Sequence, residues 1–282
     1  MPELPEVQTI VTQLQHKIIG REIQQVRSAW PKAVRPTMDE FSLRVRGAVI
    51  TGIRRFGKHI VIDTNTDESI LIHLKMTGHL LVKTKSNRSD EAFKDPYNQF
   101  IHHIITLDEG VTVEFSDMRK FGWMEVVKTS DVEIFPGIKT LGIDAISEKL
   151  TLPIFREILK KSPATSIGVL LLRQECIAGI GNIYRSEALF LAGIRPTRRV
   201  LRITKKEAEQ LLQSIQKVLR RALLYRGMSD GDFRDTDGRA GEFQKELGVY
   251  GQQGKPCPVC GTMIQRLKMG QRSVFYCTQC QK

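Results

Sequence analysis

Apolar residues recur at helical spacing from the start of the chain. Val7, Ile10, Val11, Leu14, Ile18 and Ile19 within residues 3–19 predict an amphipathic helix. From Glu22 to Val127 the pattern shortens to β-rich runs punctuated by Gly, Asn and Asp. Strands are predicted at Ala48–Arg54, His59–Thr64, Ser69–Leu74, Ile101–Leu107, Val111–Ser116 and Met124–Val127. One helix followed by many short strands describes a β-sandwich or barrel-like domain over residues 1–133. Residues 134–150, with Phe135-Pro136-Gly137 and Leu141-Gly142, read as a linker. The period then turns helical over 151–247, with helices predicted at Ile154–Lys161, Ile167–Gln174, Asn182–Ala192 and Lys205–Tyr225. The last is opened by Thr204 with Glu207 three residues on, the spacing of a capping box. Within this stretch Gly227-Met228-Ser229-Asp230-Gly231 reads as a mobile loop. Residues 248–282 form a small C-terminal module, and the fold class is α+β.

A length of 282 residues suits two medium domains with an appendage. Charge changes the picture more than length does, because 43 Lys+Arg against 31 Asp+Glu leaves +12. A basic excess of this size points to an acidic partner. Nucleic acid is foremost, since neutralised phosphates release counterions, with ribosome association, an anionic membrane surface or plain solubility as the other readings. Glu3 and Glu6 stand where a leader would be basic, and no apolar run approaches a membrane span. The expectation is a cytoplasmic protein, nucleoid-associated when on DNA.

Cysteine placement narrows the chemistry further. Cys176 stands alone, whereas Cys257-Pro-Val-Cys260 and Cys277-Thr-Gln-Cys280 are two CxxC pairs sixteen residues apart. That spacing suits four thiolates on one tetrahedral Zn²⁺, against the readings of a redox dithiol or inert thiols. Four thiolates leave no open coordination position, so the zinc would be structural. Thr262–Tyr276 between the pairs has the length of a β-hairpin, on which Arg266, Lys268 and Arg272 make a basic strip.

The chain begins Met1-Pro2-Glu3-Leu4-Pro5-Glu6. A small second residue permits removal of the initiator Met, which would leave Pro2 a free secondary amine. Such an amine has a pKa of roughly 8, so a useful fraction is neutral near pH 7 and can form an iminium with a sugar C1′. Glu3 would supply acid and base beside it. Taken alone, Pro-Glu at a helix start more often means Pro in the first turn and an acid on the helix dipole.

Further motifs decide between these readings. Gly57-Lys58, His73-Leu-Lys-Met76-Thr-Gly78, Asp117-Met-Arg119-Lys-Phe121-Gly122, Ala178-Gly-Ile-Gly-Asn182-Ile-Tyr184 with Glu187-Ala-Leu, and Val249-Tyr250-Gly251 occur in that order. Together with the N-terminus and the cysteine pairs, the chain resembles the formamidopyrimidine-DNA glycosylase family along essentially its whole length. The resemblance implies an N-terminal helix plus β-sandwich, a helix-two-turn-helix domain carrying a base-capping loop, and a zinc-finger hairpin. The partner implied is double-stranded DNA containing damaged bases, gripped by a monomer.

By the same resemblance, Pro2 would attack C1′ and Glu3 would assist base loss and ring opening. Lys58 would act as acid in β-elimination, and Arg272 would serve δ-elimination and hold phosphate. Met76, Arg119 and Phe121 match the residues that fill the hole left by a flipped base. Without the family, Met76 and Phe121 would be read as core residues. Asn182, Tyr250, Arg266 and Arg272 would contact phosphate. Leu4 favours the branch acting on oxidised purines, 8-oxoguanine and formamidopyrimidines. The alternatives are an endonuclease VIII-type enzyme acting on oxidised pyrimidines, whose members typically begin Pro-Glu-Gly-Pro-Glu, and a catalytically silent damage-binding paralogue. An RNA-binding zinc-ribbon factor would explain the charge and cysteines but leave Pro2-Glu3 and Arg119/Phe121 without a purpose.

Three departures bear on substrate choice. Where relatives usually carry Ile-Lys-x-x-Leu-Leu-Asp/Glu-Gln, this chain has Ile167-Gly168 and Leu172-Arg173-Gln174, so a familiar lysine is Gly168 and an acid is Arg173. The usual His-x-His strand reads Phe100-Ile101-His102-His103, leaving His102 as the DNA-contacting candidate with His103 as a substitute. The capping loop, typically Gly-Gly followed by hydroxyl residues, here carries extra acids.

Overall fold

The computed structural model describes residues 1–229 and 231–282, so Asp230 of the glycine-rich loop lies outside the described residues. The chain divides into two compact units, residues 1–139 with 225–244, and residues 140–224 with 245–282.

In the first unit the elements run α1 (Leu4–Ile18), β1 (Ile23–Ser28), β2 (Val34–Arg35), α2 (Met38–Val45), β3 (Ile50–Phe56), β4 (His59–Thr64), β5 (Glu68–His73), β6 (Gly78–Lys83), β7 (Ile101–Leu107), β8 (Thr112–Asp117), β9 (Trp123–Lys128) and α3 (Pro136–Lys139). They form the β-sandwich that the pattern predicts. One sheet has the order β1-β7-β8-β6 and the other β2-β9-β5-β4-β3. Ile10, Leu14 and Ile18 of α1 share one core with Ile60, Ile62, Ile70, Ile72, Leu80 and Phe115. Val61 and Leu71 project from the opposite face into a second cluster with Val132, Ile138, Trp123 and Phe135. Burial on both faces is why β4 and β5 read as continuous apolar runs rather than alternating ones.

Helix α2 is the departure from the strand-only expectation for residues 22–127. Thr37 caps it by accepting the Glu40 N–H, and Phe41 and Val45, four apart, are its two buried side chains. In eight residues that pattern has too few apolar positions to stand out.

Residues 225–244 belong to the first unit, although the sequence reading carries them with the helical domain. The reason is polar. Gln13 of α1 accepts the Thr236 N–H and donates to Asp235, and Lys17 pairs with Asp237 at 2.6 Å. Arg234 forms a two-pronged ion pair with Asp95 and lies over the Tyr97 ring.

Burial also makes this unit sensitive to acid. His79 is 1% exposed and is held by the Asn98 side chain, whose amide donates to the carbonyl of Gly238. Loss of hydration pushes its pKa down to about 4, and the same cause acts on His59 and His103. The folded state therefore keeps these rings neutral, while the unfolded chain protonates them below roughly 6.5. Stability is complete above that pH and falls as pH drops toward 4. His79 alone is expected to cost about 2 kcal/mol at pH 5. Thermal melts at pH 7.5 and 5 should show a markedly lower midpoint in acid, with a smaller drop in His79→Gln; equal drops in both proteins would refute this assignment.

The second unit contains β10 (Ile143–Asp144), α4 (Leu152–Lys160), α5 (Ile167–Leu170), β11 (Ile177–Ala178), α6 (Asn182–Leu191), α7 (Lys205–Leu224), β12 (Gln265–Met269) and β13 (Arg272–Tyr276). Helix α7 packs on α4 and α6. The capping box at its start is present, with Thr204 and Glu207 exchanging hydrogen bonds. Helix α5 stops at Leu170, short of the predicted Gln174, because the Gln174 side chain instead ties the following turn. It donates to the carbonyls of Leu172 and Ile180 and accepts the Gly179 N–H. Strands β12 and β13 form the expected antiparallel hairpin. Among the described residues no helix is long and apolar enough to cross a membrane.

Candidate functional site

In the first unit the N-terminus is the centre of interest. Pro2 and Glu3 are buried, and Glu3 in extended backbone precedes α1. The Glu6 carboxylate, itself 1% exposed, accepts the Glu3 N–H on Oε2 at 2.7 Å and the Met228 N–H on Oε1 at 2.8 Å. One carboxylate thus joins the candidate nucleophile's neighbour to the glycine-rich loop. Gly227 is required there: its φ is +79°, and a Cβ would come within 2.6 Å of Glu6 Oε1. The Ser229 hydroxyl donates to the Phe233 carbonyl and accepts the Gly241 N–H, closing the loop on itself. The spacing Glu3-x-x-Glu6 was the available sequence signal for Glu6, a capping-box pattern at a helix start. Its reach to Met228 was not visible in sequence.

Lys58 occupies the tight β3–β4 turn. Arg55 steadies that turn by donating to the Gly57 carbonyl, and its Nε donates to Gln8 of α1, so the turn is tied to the opening helix. Below it, His73 is pushed down to about 2 by burial and by the nearby His59, Lys75 and Lys58, and its ring meets His59 edge to face.

Met76, Arg119 and Phe121 come together on the surface of this unit. Arg119 donates to the Met76 sulfur at 3.0 Å and its guanidinium lies 4.6 Å from the Phe121 ring centre. Met76 is 40% and Phe121 51% exposed, so neither is the core residue that composition alone suggests. Two turns hold them, with Lys75 and Lys120 in left-handed backbone. Asp117 organises both turns, bonding the Thr77 hydroxyl and accepting the N–H groups of Arg119 and Gly122. His102 Nε2 donates to the Asp117 carbonyl, which makes it a support of this turn, while His103 is buried against Ser28 and Phe115 and offers no exposed contact.

In the second unit Asn182 opens α6 directly after the turn fixed by Gln174. Tyr250 is placed by Glu187, whose carboxylate accepts the N–H groups of Gly248, Val249 and Tyr250 at 2.7–3.0 Å. Burial pushes the Glu187 carboxyl above its ordinary range, opposed by those three donors. The Tyr250 ring then packs edge-on to Phe275 of the hairpin. Arg266 and Arg272 are exposed on the hairpin, Arg266 Nε bonding the Ser273 hydroxyl.

The four cysteine sulfurs Cys257, Cys260, Cys277 and Cys280 lie within 4.8 Å of one another, with two of the separations 3.8 and 3.5 Å. A tetrahedron with Zn–S near 2.3 Å has edges of about 3.8 Å, so the donor set fits zinc in number, chemistry and size. Among the described residues, Val249, Ile264, Phe190 and Phe275 supply its apolar cover.

Three family models match the chain in order: the formamidopyrimidine-DNA glycosylase N-terminal domain over residues 1–124, the formamidopyrimidine-DNA glycosylase H2TH domain over 141–232, and the zinc finger found in FPG and IleRS over 254–282. A formamidopyrimidine-DNA glycosylase of Pelotomaculum thermopropionicum is 38% identical over 283 residues, covering 100% of this chain and 99% of that protein. Among solved structures, a Lactococcus lactis Fpg in complex with DNA containing an abasic site superposes with a TM-score of 0.87 at 30% identity, over 99% of each chain. The MutM (Fpg) protein of Thermus thermophilus gives 0.86 at 32% identity, over 99% of this chain and 98% of that one.

Proposed function

The chain belongs to the formamidopyrimidine-DNA glycosylase family, the Fpg-type DNA glycosylases of base-excision repair, and from that premise we propose that it excises oxidised purines from duplex DNA and then cleaves the abasic strand. The observation that carries this reading is the Glu6 carboxylate, which holds the Pro2–Glu3 end and the glycine-rich loop together inside one unit. A nucleophile, an acid and a loop able to cover a flipped base are what such a reaction needs side by side.

The roles follow from bond-making order. With Met1 removed, the Pro2 nitrogen pair would attack C1′, and the C1′–base bond would break with its electrons leaving on the protonated base. Glu3 would protonate the ring oxygen as the sugar opens to an iminium. Loss of a C2′ proton would then expel the 3′-phosphate, with Lys58 as acid, and Arg272 would serve the second elimination. Met76, Arg119 and Phe121 would enter the duplex where the base has left. Exposed apolar side chains steadied on rigid turns are suited to that task and are otherwise unfavourable on a surface. Asn182, Tyr250, Arg266, Arg272 and His102 would contact the backbone. One structural zinc on the four cysteines would hold the hairpin, and DNA complexes of the Lactococcus lactis relatives, including one with N7-benzyl-Fapy-dG, support damaged duplex DNA as the partner.

Single-turnover excision on otherwise identical duplexes carrying 8-oxoguanine, formamidopyrimidine or dihydrouracil tests the substrate class. The purine lesions should leave about tenfold or more faster than dihydrouracil. Faster loss of dihydrouracil would assign the chain to oxidised pyrimidines, and binding without excision of any lesion would make it a silent damage reader.

A further inference from the structure

Among the described residues the largest fully buried side chain is a cation, Arg185 on α6. Its guanidinium lies where three elements meet. Nη1 donates to the Gly168 carbonyl of α5 at 3.0 Å, and Nη2 donates both to Asn182 Oδ1 at 2.5 Å and to the Ser273 carbonyl of β13 at 3.1 Å. Ser273 follows Arg272 directly, and its hydroxyl receives Arg266.

We propose that Arg185 is a positioning residue for DNA binding, which turns the Asn182 carboxamide so that its NH₂ group faces a backbone phosphate. This rests on the reading above in which Asn182 contacts the strand. A guanidinium has donors only, so whatever atom of Asn182 meets it must be the oxygen. The NH₂ is carried by the same carbon and points away from the guanidinium, and the residue is half-buried rather than sealed from solvent. Asn182 without this partner could present either end, and the oxygen end would repel phosphate. Arg185 removes that ambiguity and leaves a donor at the N-terminal end of a ten-residue helix, where the backbone dipole also favours an anion.

Gly168 belongs to the same arrangement. A Cβ there would fall 2.8 Å from the sulfur of Met269, in the hairpin, and 2.9 Å from the Pro196 carbonyl. The lysine that relatives usually carry at this place therefore has no room, and the position instead contributes its carbonyl to Arg185. A cation is kept in this corner of the unit, but buried on α6 and acting through Asn182.

The test is a set of variants titrated with a duplex carrying a tetrahydrofuran abasic analogue at several salt concentrations. Asn182→Ala should weaken binding about tenfold and lower the salt slope by about 1. Asn182→Asp keeps the contact with Arg185 but turns an acceptor outward, so it should bind more weakly than Asn182→Ala while melting no lower than wild type. Arg185→Met should weaken binding like Asn182→Ala and add nothing in the Asn182→Ala background. If Asn182→Ala binds as wild type, the contact itself is wrong and the inference goes with it. If Asn182→Ala weakens binding but Arg185→Met is additive to it, or Asn182→Asp binds as wild type, the contact stands and the positioning role is refuted. Should Arg185→Met fail to fold, the Asn182→Asp comparison decides alone.

Discussion

Protein that retains Met1 is expected to form no borohydride-trapped adduct with an abasic duplex and to excise 8-oxoguanine at least about 10⁴-fold more slowly than processed protein. The reason is electronic. With Met1 attached, the Pro2 nitrogen is an amide whose lone pair is delocalised into the carbonyl, and no other change to the site is needed to silence it. Glu3→Gln should behave differently. The bond from Glu3 to Glu6 uses the backbone N–H and survives the substitution. The iminium with an existing abasic sugar should still be trapped, while removal of an intact lesion slows by about 10²–10⁴-fold. Mass spectrometry of the N-terminus, denaturing gels of trapped complexes and single-turnover rates would measure all three proteins. A full yield of adduct from Met1-bearing protein would exclude Pro2 as the nucleophile and turn attention to Lys58.

Removing the metal should separate DNA binding from the rest of the fold. The cluster around the cysteines contains few apolar residues, and a two-stranded hairpin does not persist in water by itself. Structural zinc sites of this kind supply about 10–16 kcal/mol of apparent binding free energy, which is the energy holding the hairpin. A chelator, or Cys260→Ser, is therefore expected to release Arg266, Lys268 and Arg272 from their ordered positions. Loss of two or three phosphate contacts should lower the salt slope by about 2–3 and weaken duplex binding by about 10²–10³-fold at moderate salt. The sandwich has its own core and should keep its circular dichroism and its acid-dependent melt. Unaltered binding after complete loss of zinc, confirmed by elemental analysis, would show that the hairpin makes no contribution to the DNA interface.

Most strands and helices were legible because burial imposes a period. His59–Thr64 and Ile101–Leu107 coincide with β4 and β7, and α7 differs from its predicted span by one residue. What escaped was short or polar. Helix α2 carries only two buried apolar side chains, and α5 is cut short by a glutamine that hydrogen-bonds a turn. Residues 225–244 join the first unit through Gln13, Lys17, Asp95 and Glu6, and pairs of polar residues more than a hundred positions apart leave no periodic trace.

The candidate site divides in the same way. The amino acids themselves determined the residue types available: a proline in second place, an adjacent acid, four cysteines at zinc spacing and a basic excess, since these depend on residue type and local spacing. Tertiary structure alone decided how those residues are arranged. It left Met76 and Phe121 exposed beside Arg119, and buried Glu6 between the N-terminus and the loop. It set Glu187 beneath Tyr250 and locked Arg185 against Asn182. Each of those outcomes depends on which distant backbone group meets a side chain, and that is fixed only when the elements pack.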